Sequence, residues 1–312
     1  MIISILTFII SGLLTALILP GLIKYFHSKH EGQIVFDKAP ERHKAKNGVP
    51  TMGGISFILG STLCVILILV NIDYKLKFVG ILLMVWILFG LLGMFDDSIK
   101  LFNRQNDGLR AKNKFLLQLL IAFIFGILLF LNHFNTFGIE HFSWFYIIFI
   151  MFWLSGFSNA VNLTDGLDGL AAGLSLIAFV AYAFIAFRQN QLGVMVVCLA
   201  VSGSLVAFLF WNHTPAKIFM GDMGSLALGG LLSAISIVLH HSLSLLIIGG
   251  VFVIETLSVI VQITYFRKTG KRLFKMTPIH HHFEMMNWSE WKIDIIFWLV
   301  GIVLAIIGVC VF

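Results

Sequence analysis

Long apolar stretches recur along this chain of 312 residues and are separated by short polar connectors. A helix needs roughly 20 apolar residues to cross the hydrocarbon core of a bilayer. The pattern predicts one integral membrane domain over residues 1–312, an all-α polytopic fold with about ten transmembrane helices. We place these spans near residues 2–23, 51–70, 78–95, 115–131, 145–161, 170–187, 192–211, 226–240, 245–266 and 295–311.

Composition agrees with this class, because 59% of the residues are hydrophobic and only 12% are charged, too few to cover a soluble domain. No basic residue precedes the first stretch and no small-residue cleavage site follows it, which indicates a retained helix and not a signal peptide. All three cysteines lie in apolar stretches without a CxxC pair, as expected of packing residues.

The polar connectors differ in charge on the two sides. One alternating set contains 18 of the 21 Lys and Arg residues, and the opposite set contains 3. The positive-inside rule therefore places both termini outside and the basic set in the cytoplasm. This distribution is typical of topology and anionic lipid contact, so it argues against nucleic acid as a partner. The cytoplasmic connectors are 24–50, 96–114, 162–169, 212–225 and 267–294.

Adjacent carboxylates end the predicted third span, in "GMFDDSIK". Asp96 and Asp97 at a helix C-terminus would oppose the macrodipole, so capping does not explain them. The alternative is a solvated acidic end balanced by Lys100 and Arg104.

Two further acidic segments open predicted helices. In "NLTDGLDG", Asp165 and Asp168 precede the sixth span; either could be an N-cap, but one helix does not need two. Asn159 lies inside the fifth span, where a polar side chain needs a partner. Asp222, in "FMGDMGS", could also be an N-cap, although Gly221 would let a ligand approach closely and helix N-termini attract phosphate.

The last cytoplasmic connector contains "MTPIHHHFE". Three consecutive histidines diverge around a helix, and their spacing does not match the HExxH zinc motif. They indicate contacts to a polar or anionic ligand. Glu255 and Gln262, seven residues apart in the ninth span, predict a polar contact near a bend or groove of that helix.

The cytoplasmic side thus combines carboxylates, lysines, histidines and glycine-rich loops. Carboxylates suit Mg²⁺ that bridges phosphates, and lysines suit the remaining phosphate charge. This combination favours phosphoryl transfer, with a lipid phosphate as one possible substrate.

Five segments, in order, resemble the signature segments of the phospho-N-acetylmuramoyl-pentapeptide transferases, a branch of the polyprenyl-phosphate N-acetylhexosamine-1-phosphate transferase family. They are "KNGVPTMGG" (46–54), "GMFDDSIK" (93–100), "NAVNLTDGLDGLA" (159–171), "PAKIFMGDMGSLALGG" (215–230) and "PIHHHFE" (278–284). The resemblance implies transfer from UDP-N-acetylmuramoyl-pentapeptide to undecaprenyl phosphate with Mg²⁺, giving lipid I and UMP. It also implies a homodimer in the bacterial cytoplasmic (inner) membrane, with the active site facing the cytoplasm.

The resemblance also implies residue roles. Asp222 would hold Mg²⁺ on the diphosphate, and Asp96 would bind or deprotonate the lipid phosphate with Asp97 assisting. The step could be a direct attack or could pass through an aspartyl-phosphate. His281 is placed with the catalytic residues, and Phe219 would stack on uracil. The remaining predicted substrate contacts are Lys46, Thr51, Lys100, Lys112, Asn159, Asn162, Asp165, Asp168, Asn212, Gly221, Gln262, His280 and His282.

Three other functions compete with this interpretation. A sibling enzyme would use UDP-N-acetylglucosamine as its donor. A transporter would place its ionisable residues near the bilayer midplane, where only Glu255 lies here. A purely structural membrane scaffold would leave the clustered aspartates unexplained.

Overall fold

The computed structural model describes residues 2–28, 48–70, 78–103, 108–134 and 144–312. These parts of the chain form helices and no β-strand. The long helices are α1 (Ile2–Ser28), α2 (Gly54–Val70), α3 (Val79–Asn103), α4 (Ala111–Leu131), α5 (Trp144–Thr164), α6 (Leu170–Arg188), α7 (Leu192–Asn212), α8 (Gly221–Val238), α10 (Gly250–Thr269) and α12 (Glu290–Val311). The short ones are α9 (Leu245–Ile248), α11 (Ile279–Glu284) and a 3₁₀ turn at Ser242–Ser244.

The polytopic membrane fold is confirmed. In the described part of the chain, nine helices are long and apolar enough to cross a membrane, and the shorter apolar α2 occupies the remaining predicted span. The predicted ninth span, 245–266, is divided between α9 and α10. The break falls at Gly249-Gly250, a dipeptide of the kind that commonly interrupts long helices.

The third helix is longer than predicted. The sequence placed its end near residue 95, where the polar residues begin, but α3 continues to Asn103. Asp96 and Asp97 therefore lie inside the helix, and the predicted opposition to the macrodipole at its C-terminus is wrong. Lys100, one turn later on the same helix, forms an ion pair with Asp96 and so offsets part of the acidic charge.

Helix α8 is the most enclosed of the candidate spans and packs between α3 and α5. Small residues allow this packing, because helices in a membrane approach closely where Gly, Ala and Ser face each other. At Gly93 of α3, an added Cβ would overlap the backbone at Asp222, and at Gly229 of α8 it would overlap the backbone at Phe157. The two neighbours of α8 are thus held at backbone contact.

Helices α1 and α7 meet through a second group of small polar residues. Ser11 Oγ lies 2.5 Å from Ser204 Oγ, and Thr15 donates to Ser204 over 2.9 Å. An added Cβ at Gly12 would lie 3.1 Å from the Gly203 carbonyl oxygen. These interhelical hydrogen bonds tie the first helix to the bundle, while its opposite face is apolar and exposed, as expected of a surface in contact with lipid.

The close approach of α3 and α8 predicts an unequal response to alanine at two glycines of α3. Gly93→Ala places a methyl group on the backbone at Asp222 and should destabilise the protein by about 1–3 kcal/mol. Gly80→Ala is the matched control, because nothing lies within 4 Å of a Cβ at that position. Thermal unfolding in detergent measures both variants; equal unfolding temperatures would contradict the packing described.

Candidate active site

Three aspartates from two helices form a cluster at one end of the bundle. Asp96 and Asp97 come from α3, and Asp222 comes from the first turn of α8. Their carboxylate oxygens lie within 4.8 Å of one another, and within the described ranges this is the one group of three His, Cys, Asp or Glu side chains placed to hold a metal ion. Asp96 and Asp97 are buried. The contact at Gly93, one turn before Asp97, brings the helices close enough for this.

Two lysines balance most of the negative charge. Lys100 Nζ lies 2.7 Å from both Asp96 Oδ2 and Asp222 Oδ2, and 3.6 Å from Asp97 Oδ1. Lys114 Nζ, from α4, lies 2.7 Å from Asp222 Oδ2 and 3.7 Å from Asp96 Oδ2. With three carboxylates against two ammonium groups, the ionised cluster has one uncompensated negative charge.

Lys112 was predicted as a substrate contact, but Lys114, which was not predicted, is the lysine of α4 that reaches the cluster. Lys112 is exposed on another face of α4, whereas Lys114 reaches the cluster. Lys114 and Gln118 are four residues apart and therefore share one face of the helix. That spacing was the available signal, but the predicted span began only at residue 115.

Backbone groups fix the orientation of the α3 carboxylates. Leu109 N donates to Asp96 Oδ1 over 2.8 Å, and Met223 N donates to Asp97 Oδ2 over 3.1 Å. A Cβ at Gly108 would lie 2.6–2.7 Å from the Asp96 carboxylate. Glycine at this position therefore lets the chain pass directly over Asp96.

Thr51 and Gly221 meet beside the cluster. Gly221 has a φ of 72°, and a Cβ there would overlap Asp97 and lie 2.9 Å from Thr51 Oγ1. The segment before α2 pairs with the segment before α8, because Gly53 N donates to the Phe219 carbonyl over 2.8 Å and Phe219 N donates to the Pro50 carbonyl over 2.8 Å. Phe219 is half-buried next to these residues.

Asn162, which the sequence placed at the start of the connector 162–169, lies in the last turn of α5 and touches the cluster. Asn162 Nδ2 donates to Asp222 Oδ1 over 2.8 Å and to Ser225 Oγ over 2.9 Å. Asp165 follows, half-buried, in the turn after α5. Asn162, a predicted substrate contact, therefore bonds directly to Asp222, the residue predicted to hold the metal.

The other end of this connector is fastened to the loop that precedes α8. Asp168 Oδ2 accepts a hydrogen bond from Ala216 N over 2.9 Å. Asn212 accepts from Gly169 N over 3.1 Å and donates to the Ile218 carbonyl over 2.9 Å. Both side chains are buried, so the two loops form one unit.

None of the three aspartates considered as N-caps has that role. The N-cap position of α6 is Gly169, with a φ of 83°, and that of α8 is Met220; neither helix has a capping hydrogen bond from its N-cap side chain. Asp165 and Asp168 precede the N-cap of α6, and Asp222 lies one residue inside α8. The aspartates are therefore available for contacts between loops and within the cluster.

Asn159, which is partly buried, forms an amide pair with the buried Gln118. Asn159 Nδ2 donates to Gln118 Oε1 over 2.7 Å and to the Ser155 carbonyl over 2.8 Å. The pair joins α5 to α4, one turn from Lys114. The predicted need for a polar partner is met inside the bundle, which gives Asn159 a part in positioning α4.

The prediction that the three histidines diverge is wrong for His280 and His281, whose ring centroids lie 4.1 Å apart. His280 is fully buried, with Nδ1 3.1 Å from Glu255 Oε1. His281 Nδ1 lies 2.5 Å from Glu284 Oε2, and His282 Nδ1 accepts from Lys275 N over 3.1 Å.

Other contacts place this histidine segment next to the connector. A Cβ at Gly166 would overlap His280 Nε2. Gln262 accepts from the backbone amides of Leu273 and Phe274 over 2.9 and 3.0 Å, and it donates to the Phe274 carbonyl over 3.1 Å. Gln262 therefore holds the chain leading to the histidines. Lys46, the remaining predicted contact, lies outside the described residues.

Comparisons with known proteins point to one family. The sequence model described as glycosyl transferase family 4 matches residues 78–240. A protein of Limosilactobacillus fermentum is 53% identical over 299 residues, covering 96% of this chain and 94% of its own. Proteins of Levilactobacillus brevis (51%; 96% and 95% covered) and Limosilactobacillus reuteri (52%; 98% and 96% covered) are similarly close. All three are named phospho-N-acetylmuramoyl-pentapeptide-transferase.

The cluster predicts that two nearby lysines differ in their effect on stability. Lys114→Met keeps an apolar stem but removes one of two cations from three carboxylates, and should lower the free energy of unfolding by about 1–2 kcal/mol. Lys112→Met, on the exposed face of the same helix, should leave it unchanged. The two variants are compared by thermal unfolding at low ionic strength. Equal unfolding temperatures would show that Lys114 does not stabilise the aspartate cluster.

Proposed function

We propose, on the premise that this chain belongs to the phospho-N-acetylmuramoyl-pentapeptide transferases of glycosyl transferase family 4, that it synthesises lipid I. It transfers phospho-N-acetylmuramoyl-pentapeptide from the UDP donor to undecaprenyl phosphate and releases UMP. This is the first membrane step of peptidoglycan synthesis. The observation that carries the proposal is the cluster of Asp96, Asp97 and Asp222 with Lys100 and Lys114 at one end of a membrane bundle.

The reaction exchanges one phosphoanhydride bond for another. An oxygen of the lipid phosphate attacks the donor phosphorus that is bonded to the sugar oxygen. The bond from this phosphorus to the bridging oxygen breaks, and UMP leaves with that oxygen. Both substrates are anionic, so the site must concentrate positive charge around phosphate oxygens and hold the attacking and leaving oxygens in line.

The aspartate cluster fits Mg²⁺, since this ion prefers carboxylate oxygens and usually keeps waters or phosphate oxygens as its other ligands. Asp222 would hold it, with Asp96 and Asp97 close enough to share in its binding. When bound, Mg²⁺ would neutralise charge on the donor diphosphate. Asn162 fixes the orientation of Asp222 through Oδ1.

The lysines and the α3 aspartates serve the acceptor side of the reaction. Lys100 and Lys114 offer flexible ammonium groups that can pair with phosphate as readily as with carboxylate. We assign to Asp96, with Asp97 assisting, the binding of the lipid phosphate or the removal of its proton. Direct in-line attack and a two-step route differ in whether an Asp96 phosphoester forms, which rapid acid quenching of the reaction distinguishes.

The donor nucleoside is assigned to the unit formed by the connector 162–169 and the loop before α8. Asn162, Asp165 and Asp168 line one side of it, and Phe219 and Gly221 line the other, with the Phe219 ring stacking on uracil. The buried bonds of Asp168 and Asn212 support this assignment because they hold the two loops in register. We assign the sugar or peptide part of the donor to the histidine segment, in which His281 is partly exposed.

Purified protein, incubated with radiolabelled UDP-N-acetylmuramoyl-pentapeptide and polyprenyl phosphate, should form labelled lipid I and unlabelled UMP. Mg²⁺ should be required, and a chelator should stop the reaction. UDP-N-acetylglucosamine serves as the control donor, and we expect essentially no transfer from it. Comparable turnover of the two donors would assign the chain to the sibling activity, and no turnover of either would reject the proposal.

Asp222→Asn tests the metal assignment with little change in shape. Loss of one charged metal contact should remove several kcal/mol of transition-state stabilisation, a fall in kcat of at least about 100-fold. Asp168→Asn is the comparison variant, and its effect should fall mainly on the KM of the donor. Unfolding temperature confirms that both variants fold. A kcat for Asp222→Asn within about tenfold of the wild type would contradict the role given to Asp222.

A further inference from the structure

Glu255 and His280 are buried together where α10 meets α11. Each side chain is completely buried, and His280 Nδ1 lies 3.1 Å from Glu255 Oε1. The contact is a close approach of a carboxylate and an imidazole and does not have the geometry of a hydrogen bond; in the ranges covered by the structure, neither side chain has a hydrogen-bond partner. A buried carboxylate and a buried imidazole are costly unless they are paired, so this contact decides how both are oriented.

The second ring nitrogen of His280, Nε2, is directed at the connector 162–169. A carboxylate 3.1 Å from Nδ1 favours the tautomer that has its proton on that nitrogen. Nε2 then faces Gly166, where an added Cβ would overlap it and would lie 3.0 Å from the neighbouring Cε1. The His280 ring therefore packs directly on the backbone of the connector 162–169.

The neighbouring histidine repeats this arrangement. His281 Nδ1 lies 2.5 Å from Glu284 Oε2, and its Nε2 would be 3.3 Å from a Cβ at Gly166. The two imidazole rings are in contact, with centroids 4.1 Å apart. Two carboxylate–imidazole pairs thus stand side by side, and both present Nε2 to the same residue of the connector.

Helix α10 holds the histidine segment at two points on one face. Gln262 lies two turns after Glu255 and binds the backbone at Leu273 and Phe274. Glu255 holds the segment again at His280. The position of a membrane helix is thereby coupled to the turn that carries Asp165 and Asp168 and that directly follows Asn162 at the end of α5.

From these contacts we infer that Glu255 is a positioning residue for the donor site: it holds the His280 ring against Gly166 and thereby sets the position of the connector 162–169. The inference rests on the proposed function, in which this connector binds the nucleotide of the donor. Glu255 touches no substrate in this account and acts through His280.

Glu255→Gln tests the inference, because it removes the charge and keeps the volume. The KM for the UDP donor should rise about tenfold, while kcat and the KM for polyprenyl phosphate should change by less than about twofold. Ser258→Ala is the matched control: Ser258 is buried one turn further along α10, and its hydroxyl donates to the Glu255 carbonyl. Its kinetic constants should equal those of the wild type.

A purely structural role would give a different pattern. It would lower the fraction of active protein, so kcat would fall with the donor KM unchanged, and that result would overturn the inference. A double variant adds a second criterion. If Glu255 acts through His280, the donor KM of Glu255→Gln/His280→Gln should be no higher than that of His280→Gln alone. If the two substitutions raise the donor KM independently, so that their fold-changes multiply in the double variant, the inference is also overturned.

The wild-type measurements separate this inference from the function on which it rests. Wild-type turnover of the UDP donor tests the function, and the ratio of variant to wild type tests Glu255. Calorimetric titration with UMP makes the same comparison without turnover. Weaker UMP binding in Glu255→Gln than in Ser258→Ala supports the inference, and equal affinities refute it even if the wild type fails to transfer.

Discussion

The backbone contact between α3 and α8 is the constraint on which the site depends. At Gly93 the helices approach so closely that a methyl group would overlap the chain at Asp222. This contact brings carboxylates separated by more than 120 residues of sequence within 4.8 Å of one another. Like charges at that distance repel, so the packing of the bundle must hold them there, and the lysines must lower the cost. Fold stability and site geometry are therefore determined at the same point.

Under the proposed mechanism, the charge balance of the cluster lets the lysines exchange carboxylate partners for phosphate. Lys100 and Lys114 share one oxygen of Asp222, and each also contacts Asp96. A divalent cation bound to the carboxylates would release both ammonium groups toward phosphate oxygens without leaving the aspartates uncompensated. The same five side chains can thus serve two states. In one, the lysines pair with the aspartates; in the other, the aspartates hold the cation and the lysines pair with the diphosphate. Both are possible because interactions between charges depend little on direction.

The sequence was sufficient for the helical membrane architecture and for selecting the three aspartates that the structure brings together. Apolar windows predicted every long helix, because a bilayer imposes a minimum length on each span. Asp96, Asp97 and Asp222 were identified because carboxylates are rare in a chain with so few charged residues, and helix capping did not account for them. The choice between Lys112 and Lys114 depended on helical register at the start of α4, and windows of hydropathy do not define register. The contacts of Asn159 and Gln262 depended on which helices are neighbours in space. For these two residues the structure shows bonds within the protein, and their predicted contact with substrate stays a prediction.

The separation of the cluster along the chain has a consequence for synthesis. Asp96 and Asp97 leave the ribosome and enter the membrane with α3 well before Asp222, Met223 and Lys114 can all reach them. During that interval Lys100 is the partner at hand, since it lies one turn away on the same helix, 2.7 Å from Asp96 in the finished protein. A local ion pair can accompany a lone helix through insertion, when two unpaired carboxylates would hinder partitioning into lipid. Lys100 therefore offsets the charge of the α3 carboxylates during insertion, before the other residues of the site are in place.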